Sequence, residues 1–200
     1  MLNWMFDGYP CDFSWTPSFH PRWLSVLMSY GFLPIAGEVN GPPSRRGDVE
    51  DDEGMVICLP KLHQKRCVVC PISDLHVPKS VRKKSKAYTM SIDVDFAGVV
   101  AGCRKQHGMS WLYPEMVRTF DRMRVANKRN DDDIAVTVHS IELWDKNDCL
   151  VAGELGYVSH DSVYTSLTGF RTTSGSGSVQ LCALGRFLDA LKFKMWDLGM

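Results

Sequence analysis

An α+β (α/β) fold, with a mixed central sheet flanked by helices and a small N-terminal subdomain, is predicted by three features of this 200-residue chain. Apolar residues recur at helical spacing from residue 96 to residue 123. The period then changes to two between Ile134 and Phe170. A Gly/Ser-rich stretch next returns the chain to helical spacing and a short apolar tail. Helices, a meander, then turn, helix and strand is the order expected when a mixed sheet carries helices on its faces.

Taken in order, His20 to Tyr30 reads as a short amphipathic helix: Pro21 suits its first turn, Trp23, Leu24, Leu27 and Met28 share a face, and Gly31 stops it. Residues 37–54 are rich in glycine, proline and acid (Asp48, Glu50, Asp51, Asp52, Glu53) and offer almost nothing to bury. They read as a solvated linker, dividing a small N-terminal subdomain (1–54) from a main domain (55–200). VICLP and RCVVCPI then read as short strands, and Lys79–Lys86 concentrates five cations (Lys79, Arg82, Lys83, Lys84, Lys86) on a helix or loop. Asp95 can cap a helix bearing Phe96, Val99, Val100 and Cys103, and Pro114 opens another bearing Met116, Val117, Phe120 and Met123. Turns at 145–148 and at His160-Asp161 divide the period-two region into three sequential strands. After Ser174–Ser178, the residues Val179, Leu181, Cys182, Leu184, Phe187, Leu188 and Leu191 form a broad apolar stripe, and MWDL begins a last strand. A terminal edge strand has little to anchor it, so either this strand is very short or the main domain is truncated at its C-terminus.

Composition excludes several classes. At 44% hydrophobic and 23% charged, the chain is not disordered. It lacks an apolar run near the roughly 20 residues of a membrane span and an export signal, so a soluble cytoplasmic protein without membrane partners is expected. Positive and negative side chains balance at 23 each, leaving only local charge to indicate partners. The seven cysteines are an odd number in mostly apolar surroundings, as expected of reduced thiols. Cys67-Val-Val-Cys70 has no second ligand pair at zinc spacing, so neither a metal nor a cofactor is expected. No G-x-S-x-G element occurs, and His139 reads as a structural imidazole.

His139-Ser140-Ile141-Glu142-Leu143-Trp144, followed by Leu150-Val151-Ala152-Gly153 and Gly156, resembles the H-S-[IV]-E-x-W…LVGG…G hairpin of the leucyl/phenylalanyl-tRNA–protein transferases. Leu75-His76 before the basic stretch, the Phe96…Val99-Val100-x-Gly102-Cys103 helix, Trp111, and Tyr30-Gly31-Phe32-x-Pro34 add to it in the same order. The resemblance covers most of the chain. It implies a GNAT-like acyltransferase fold and transfer of a Leu- or Phe-type aminoacyl group from tRNA to the α-amino group of an acceptor protein, marking that protein for N-degron proteolysis. A monomer is expected, with aminoacyl-tRNA and an acceptor N-terminus as partners.

The resemblance implies tRNA contacts at Arg66, Lys79, Arg82, Lys83 and Lys86, and stacking of the 3′-terminal adenosine on Trp111; a core tryptophan between two helices is the other reading of Trp111. Asp197 matches the family's catalytic aspartate. Substrate contacts are expected from Trp111, Glu154, Tyr164, Ser166, Leu167, Thr168 and Arg171. Three positions depart from the family pattern: Leu167 stands for a glutamate, Gly199 for a glutamine, and Glu154 for an apolar pocket methionine. A carboxylate in a dry Leu/Phe pocket costs several kcal/mol if unpaired. Glu154 is therefore expected to face solvent through a shift in register, or else to select a polar or cationic aminoacyl group.

Two alternatives stay open. Arg171 before the Ser174–Ser178 turn resembles, one residue out of step, the pyrophosphate loop of acyl-CoA-dependent N-acyltransferases. The missing glutamate and glutamine equivalents also fit a catalytically silent homologue that binds tRNA or peptide.

Overall fold

The computed structural model describes residues 14–39, 54–63, 65–109, 111–128 and 133–199. Helix α1 (Pro21–Ser29) begins on Pro21 and ends at Gly31, whose φ of +88° only glycine adopts without strain. Leu24, Ser25 and Met28 form its buried side; Trp23, expected on that side, is 40% exposed. Strands β1 (Phe32–Val39) and β2 (Met55–Leu62) pair antiparallel from Phe32↔Leu62 to Val39↔Met55. The segment expected to separate two domains thus joins two paired strands; its acidic cluster lies outside the described residues. Ala36 of β1 and Cys58 of β2 share a hydrophobic cluster with Val99, Met116 and Phe120, so the N-terminal unit and the rest of the chain bury one core.

The main sheet has the order β3-β8-β7-β6-β5-β4. Its members are β3 (Val68–Val69), β4 (Thr89–Ile92), β5 (Val136–Trp144), β6 (Leu150–Ser159), β7 (Val163–Arg171) and β8 (Met195–Asp197). Strands β5, β6 and β7 are the predicted meander, and only β7 and β8 run parallel, joined by a crossover helix. The terminal strand is therefore not an edge strand: β8 lies between β7 and β3, with Leu198 N–H bonded to the Cys67 carbonyl at 2.8 Å and Cys67 N–H to that of Gly199 at 2.6 Å. Of the predicted strand RCVVCPI, only Val68 and Val69 pair with β8.

Helices cover both faces. Beside α1 lie α3 (Phe96–His107), capped by Asp95 Oδ1 accepting from Gly98 N–H at 2.8 Å, and α4 (Pro114–Lys128). Val99, Val100 and Cys103 of α3 and Met116, Phe120 and Met123 of α4 pack there on Val136, Val138, Leu155, Tyr157 and Phe170. The opposite face carries α2 (Lys79–Ser85) and α5 (Ser176–Ala190), with Leu184 and Leu188 packed on Ile141, Tyr164 and Trp196. The buried stripe of α5 is narrower than its apolar pattern: Leu181, Phe187 and Leu191 are exposed, while Gln180 and Gly185 are buried.

One irregularity governs which residues face which layer. Leu155 pairs with Thr168 but Gly156 with Ser166, so Leu167 is an extra residue in β7. Before this bulge Tyr164 points to α5; after it Phe170 points to α3. Strict alternation would set these two even-numbered residues on one face.

Candidate functional site

Strand β8 accompanies β7 only from Val163↔Met195 to Thr165↔Asp197. Beyond Thr165, β7 continues with β6 as its one strand partner through Ser166, the bulged Leu167 and Thr168 toward the end of α3. There Gln106 Oε1 accepts from Arg171 N–H at 2.8 Å and the His107 ring bonds the Gly169 carbonyl at 2.7 Å. Asp197 thus stands where the parallel pair forks, among the residues expected to touch substrate.

Asp197 is only 8% exposed. Its Oδ1 accepts from Gly199 N–H at 2.9 Å and from Arg66 Nε at 3.2 Å, and its Oδ2 accepts from Arg66 Nη2. Arg66 Nη1 also donates to the Gly31 carbonyl at 3.2 Å, tying the end of α1 to the same centre. Grouped by resemblance with the tRNA-binding cations, Arg66 instead holds a carboxylate, and its side chain is 17% exposed. Thr165 pairs with Asp197, and the two charges of the ion pair act in opposite senses on the Tyr157 hydroxyl, which burial shifts upward.

Glu154 corrects an expectation. It does not face solvent but lies buried toward α5, its Oε1 accepting from Tyr164 Oη at 3.1 Å and Ser166 Oγ at 2.9 Å and its Oε2 from Gln180 Nε2 at 2.9 Å. Burial raises its carboxyl from the ordinary 4.5 to about 7, against the pull of these three bonds. Ser166 Oγ in turn accepts from Trp196 Nε1 at 3.0 Å. Since Trp196 and Asp197 are consecutive strand residues, they point to opposite faces, so the two carboxylates flank the fork from opposite sides of the sheet.

The other sequence-predicted residues fall around this fork. Leu167 and Trp111 both pack on the α3/α4 core, Trp111 edge-to-face against Phe120 at 6.1 Å and 70°. Trp111 is half-buried against that core. Thr168 bonds the Cys103 thiol, which burial pushes up to about 12. Arg171 lines an open cavity of about 510 Å³ with Gln106, Thr172, Thr173 and Ser174 and lies along Gly177 near the start of α5, at the other end of the β7 segment that extends beyond β8. Lys79, Arg82 and Lys83 on α2 and Lys86 at its C-cap are exposed, with Val81 as the buried anchor, while Lys84, also exposed, lays its side-chain end against Gly175.

His139 Nδ1 lies 2.8 Å from Asp93 Oδ2, and Asp93 Oδ1 accepts from Ser140 N–H at 3.0 Å. Burial pushes the Asp93 carboxyl up, but these bonds and the charges of His139 and Arg124 lower it overall. Glu142, fully buried, accepts from Ser91 Oγ, Ser140 Oγ and Asp95 N–H, fastening β4 and the start of α3 to β5.

Sequence reasoning missed the Asp197–Arg66 pairing, Gln180 and the Cys103–Thr168 contact. The first spans 131 residues and carries no local signal. A polar Gln180 within the apolar stripe of α5 was the one available hint of a buried acceptor beneath it.

The family model described as leucyl/phenylalanyl-tRNA protein transferase matches residues 69–200. A curated leucyl/phenylalanyl-tRNA–protein transferase of Solidesulfovibrio magneticus is 30% identical over 118 residues, 57% of this chain and 43% of that protein. Another, from Alkalilimnicola ehrlichii, is 27% identical over 137 residues, 66% of this chain and 49% of that protein. The chain spans about half the length of these curated relatives. Among solved structures, the C-terminal domain of a protein described as a lysylphosphatidylglycerol synthetase from Agrobacterium fabrum overlaps 90% of this chain and 52% of that one, at 12% identity and a TM-score of 0.46.

Proposed function

Since this chain belongs to the leucyl/phenylalanyl-tRNA–protein transferase family, whose model matches residues 69–200, we propose that it transfers an aminoacyl group from tRNA to the α-amino group of an acceptor protein. The observation that carries this reading is the carboxylate of Asp197, held at the point where β7 and β8 part. A parallel pair that opens in this way, with a crossover helix between its strands, supports a GNAT-like assignment for the main domain, with the N-terminal hairpin unit as its smaller companion.

In the reaction the acceptor amine attacks the ester carbonyl. A new C–N bond forms, the C–O bond to the tRNA 3′ terminus breaks, and the amine's proton ends on the departing ribose oxygen. Asp197 accepts three hydrogen bonds, two at Oδ1 and one at Oδ2, which leaves Oδ2 a lone pair for an N–H of the incoming amine. Held by a guanidinium and a main-chain N–H, it has the part of orienting the nucleophile in a partly dry site. The cations of α2, none of them in an ion pair among the described residues, form a surface for the phosphates of the acceptor arm.

The departures bear on catalysis. The glutamine expected beside Asp197 is Gly199, whose φ of +80° aims its own N–H at Asp197 Oδ1, so a main-chain donor stands in for the missing amide. Nothing polar replaces the glutamate at Leu167. A silent tRNA- or peptide-binding homologue is therefore the second reading, favoured by the closure of Arg66 on Asp197.

A cytoplasmic monomer feeding an N-degron pathway is the setting this activity implies. The test is incorporation from a panel of labelled aminoacyl-tRNAs, Leu and Phe included, into a peptide with an N-terminal Lys or Arg. We expect transfer by the wild-type chain and at least a tenfold loss in Asp197→Ala with its fold retained. Salt-sensitive tRNA binding without incorporation establishes the silent binder instead.

A further inference from the structure

Glu154 is a buried acid whose three hydrogen-bond partners, Tyr164, Ser166 and Gln180, are all uncharged. A structural ion pair would supply a cation here, and a core position would ordinarily hold an apolar side chain. The titratable and polar groups around it are Tyr164 and Ser166 from β7, Gln180 from α5 and, across the sheet, the Cys103 thiol of α3, which feels the Glu154 charge, while β5 sets the apolar Ile141 opposite it. One step out, the Asp93 charge reaches Tyr164, whose hydroxyl burial holds well above its ordinary range. On β8, Trp196 touches the network through Ser166, while Asp197 turns to the other face.

Ser166 is the last residue of β7 before the bulged Leu167, and its hydroxyl joins the two strands of the fork: it donates to Glu154 and accepts from Trp196, the neighbour of Asp197. We propose that Glu154 is a positioning residue for the transfer centre, its carboxylate fixing Ser166 at the β7 bulge and, through Trp196, the strand end that carries Asp197. As a carboxylate it accepts all three bonds at once. Protonation adds a fourth donor to a site whose neighbours all donate already, so one bond must reverse or the new O–H goes unpaired. The strand end that orients the attacking amine is thereby loosened from the side of the sheet opposite the reaction. This rests on the transferase reading, but its first test does not require turnover.

That test follows the indole N–H resonance of Trp196, identified by its loss in Trp196→Phe, across pH 5 to 9. In the wild-type protein it should move with a midpoint near 7, where burial places the Glu154 carboxyl. In Glu154→Gln it should stay still, and in Ser166→Ala, which cuts the link but keeps the acid, it should no longer follow pH. A wild-type resonance indifferent to pH, or one that titrates equally in Glu154→Gln, overturns the proposal. In the transfer assay the acceptor amine's own protonation lowers kcat toward acid in every variant, and wild-type kcat should show a further step of about tenfold from pH 8 to pH 6 as the ionised fraction of Glu154 drops, with KM for tRNA unchanged. Glu154→Gln should have a lower kcat without that step, and a step of the same size there also overturns the proposal. If wild-type protein transfers nothing at any pH, the transferase reading falls, and the indole titration alone decides whether Glu154 governs the fork.

Discussion

Replacing Arg66 by Met removes the cation from Asp197 and leaves that carboxylate, 8% exposed, with the single N–H of Gly199. Breaking a buried pair from one side costs about 3–5 kcal/mol; with side chains 17% and 11% exposed, partial hydration sets the expectation at about 3 kcal/mol. For a chain of this length that corresponds to a fall in Tm of about 6–12 °C. Asp197→Asn should cost a similar amount, since a neutral amide in place of the carboxylate leaves the part-buried guanidinium without a compensating charge. The double variant holds neither charge and should be more stable than the sum of the singles implies, with a coupling of about 2 kcal/mol. Urea unfolding of the four proteins, followed by circular dichroism at constant pH, measures all three quantities. Single losses below about 0.5 kcal/mol that simply add would mean water already screens the two groups, and the case for Asp197 as a rigidly held acceptor would fail. Arg66→Met should also leave the salt dependence of tRNA binding unchanged, because its guanidinium is committed inside the fold.

Reversing charge at Lys79, Arg82 and Lys83 together should weaken binding of charged tRNA and lower the slope of log K against log salt by about 2–3, with stability nearly unaltered; an unchanged slope removes α2 from the interface. The raised carboxyl of Glu154 stabilises the native state fully below its ordinary 4.5 and loses that contribution as pH rises to about 7, at about 1.4 kcal/mol per pH unit. Stability measured from pH 4.5 to 8 should therefore drop by about 3 kcal/mol in the wild-type protein relative to Glu154→Gln, then level off above 7; parallel curves would contradict the burial argument. Gly156→Ala drives a Cβ into the Tyr164 hydroxyl and within 2.8 Å of the Thr165 carbonyl, so a loss of about 2–3 kcal/mol is expected, and a neutral outcome on thermal melting would show that β6 and β7 separate freely there.

Periodicity carried most of the architecture. The Asp95 cap, the two core helices, the meander and the crossover helix are where local signals place them, because each is set by contacts along its own segment. What local signals missed depends on partners far away in the chain. Val68-Val69 forms the edge strand of the sheet through its pairing with β8, far away in the chain, and residues 40–53 could not announce that β1 and β2 pair around them. Trp23 and Leu191 look like core residues by spacing but are exposed, with no second layer over them among the described residues. At the site, Asp197 was found through family resemblance, whereas its arginine was assigned to another task because pairing across 131 residues leaves no pattern.

The orientation of Glu154 shows why register decides chemistry in this fold. From sequence, the acid is expected to face solvent or else to select a polar or cationic aminoacyl group; in the structure it is buried and bonded to three uncharged side chains. An even-numbered place on β6 aims it at α5, and the bulge one pair away delivers Ser166 to it while turning Thr168 and Phe170 toward α3. Without the extra residue at Leu167, one face would have to hold the whole strand's pattern, and either the Glu154 network or the Phe170 packing would be lost. The same insertion sets the bulge beside the point where β8 ends, so that Asp197 is attached to one face and its support to the other. A substitution that straightened β7 would therefore disturb both carboxylates together, although no hydrogen bond connects them directly.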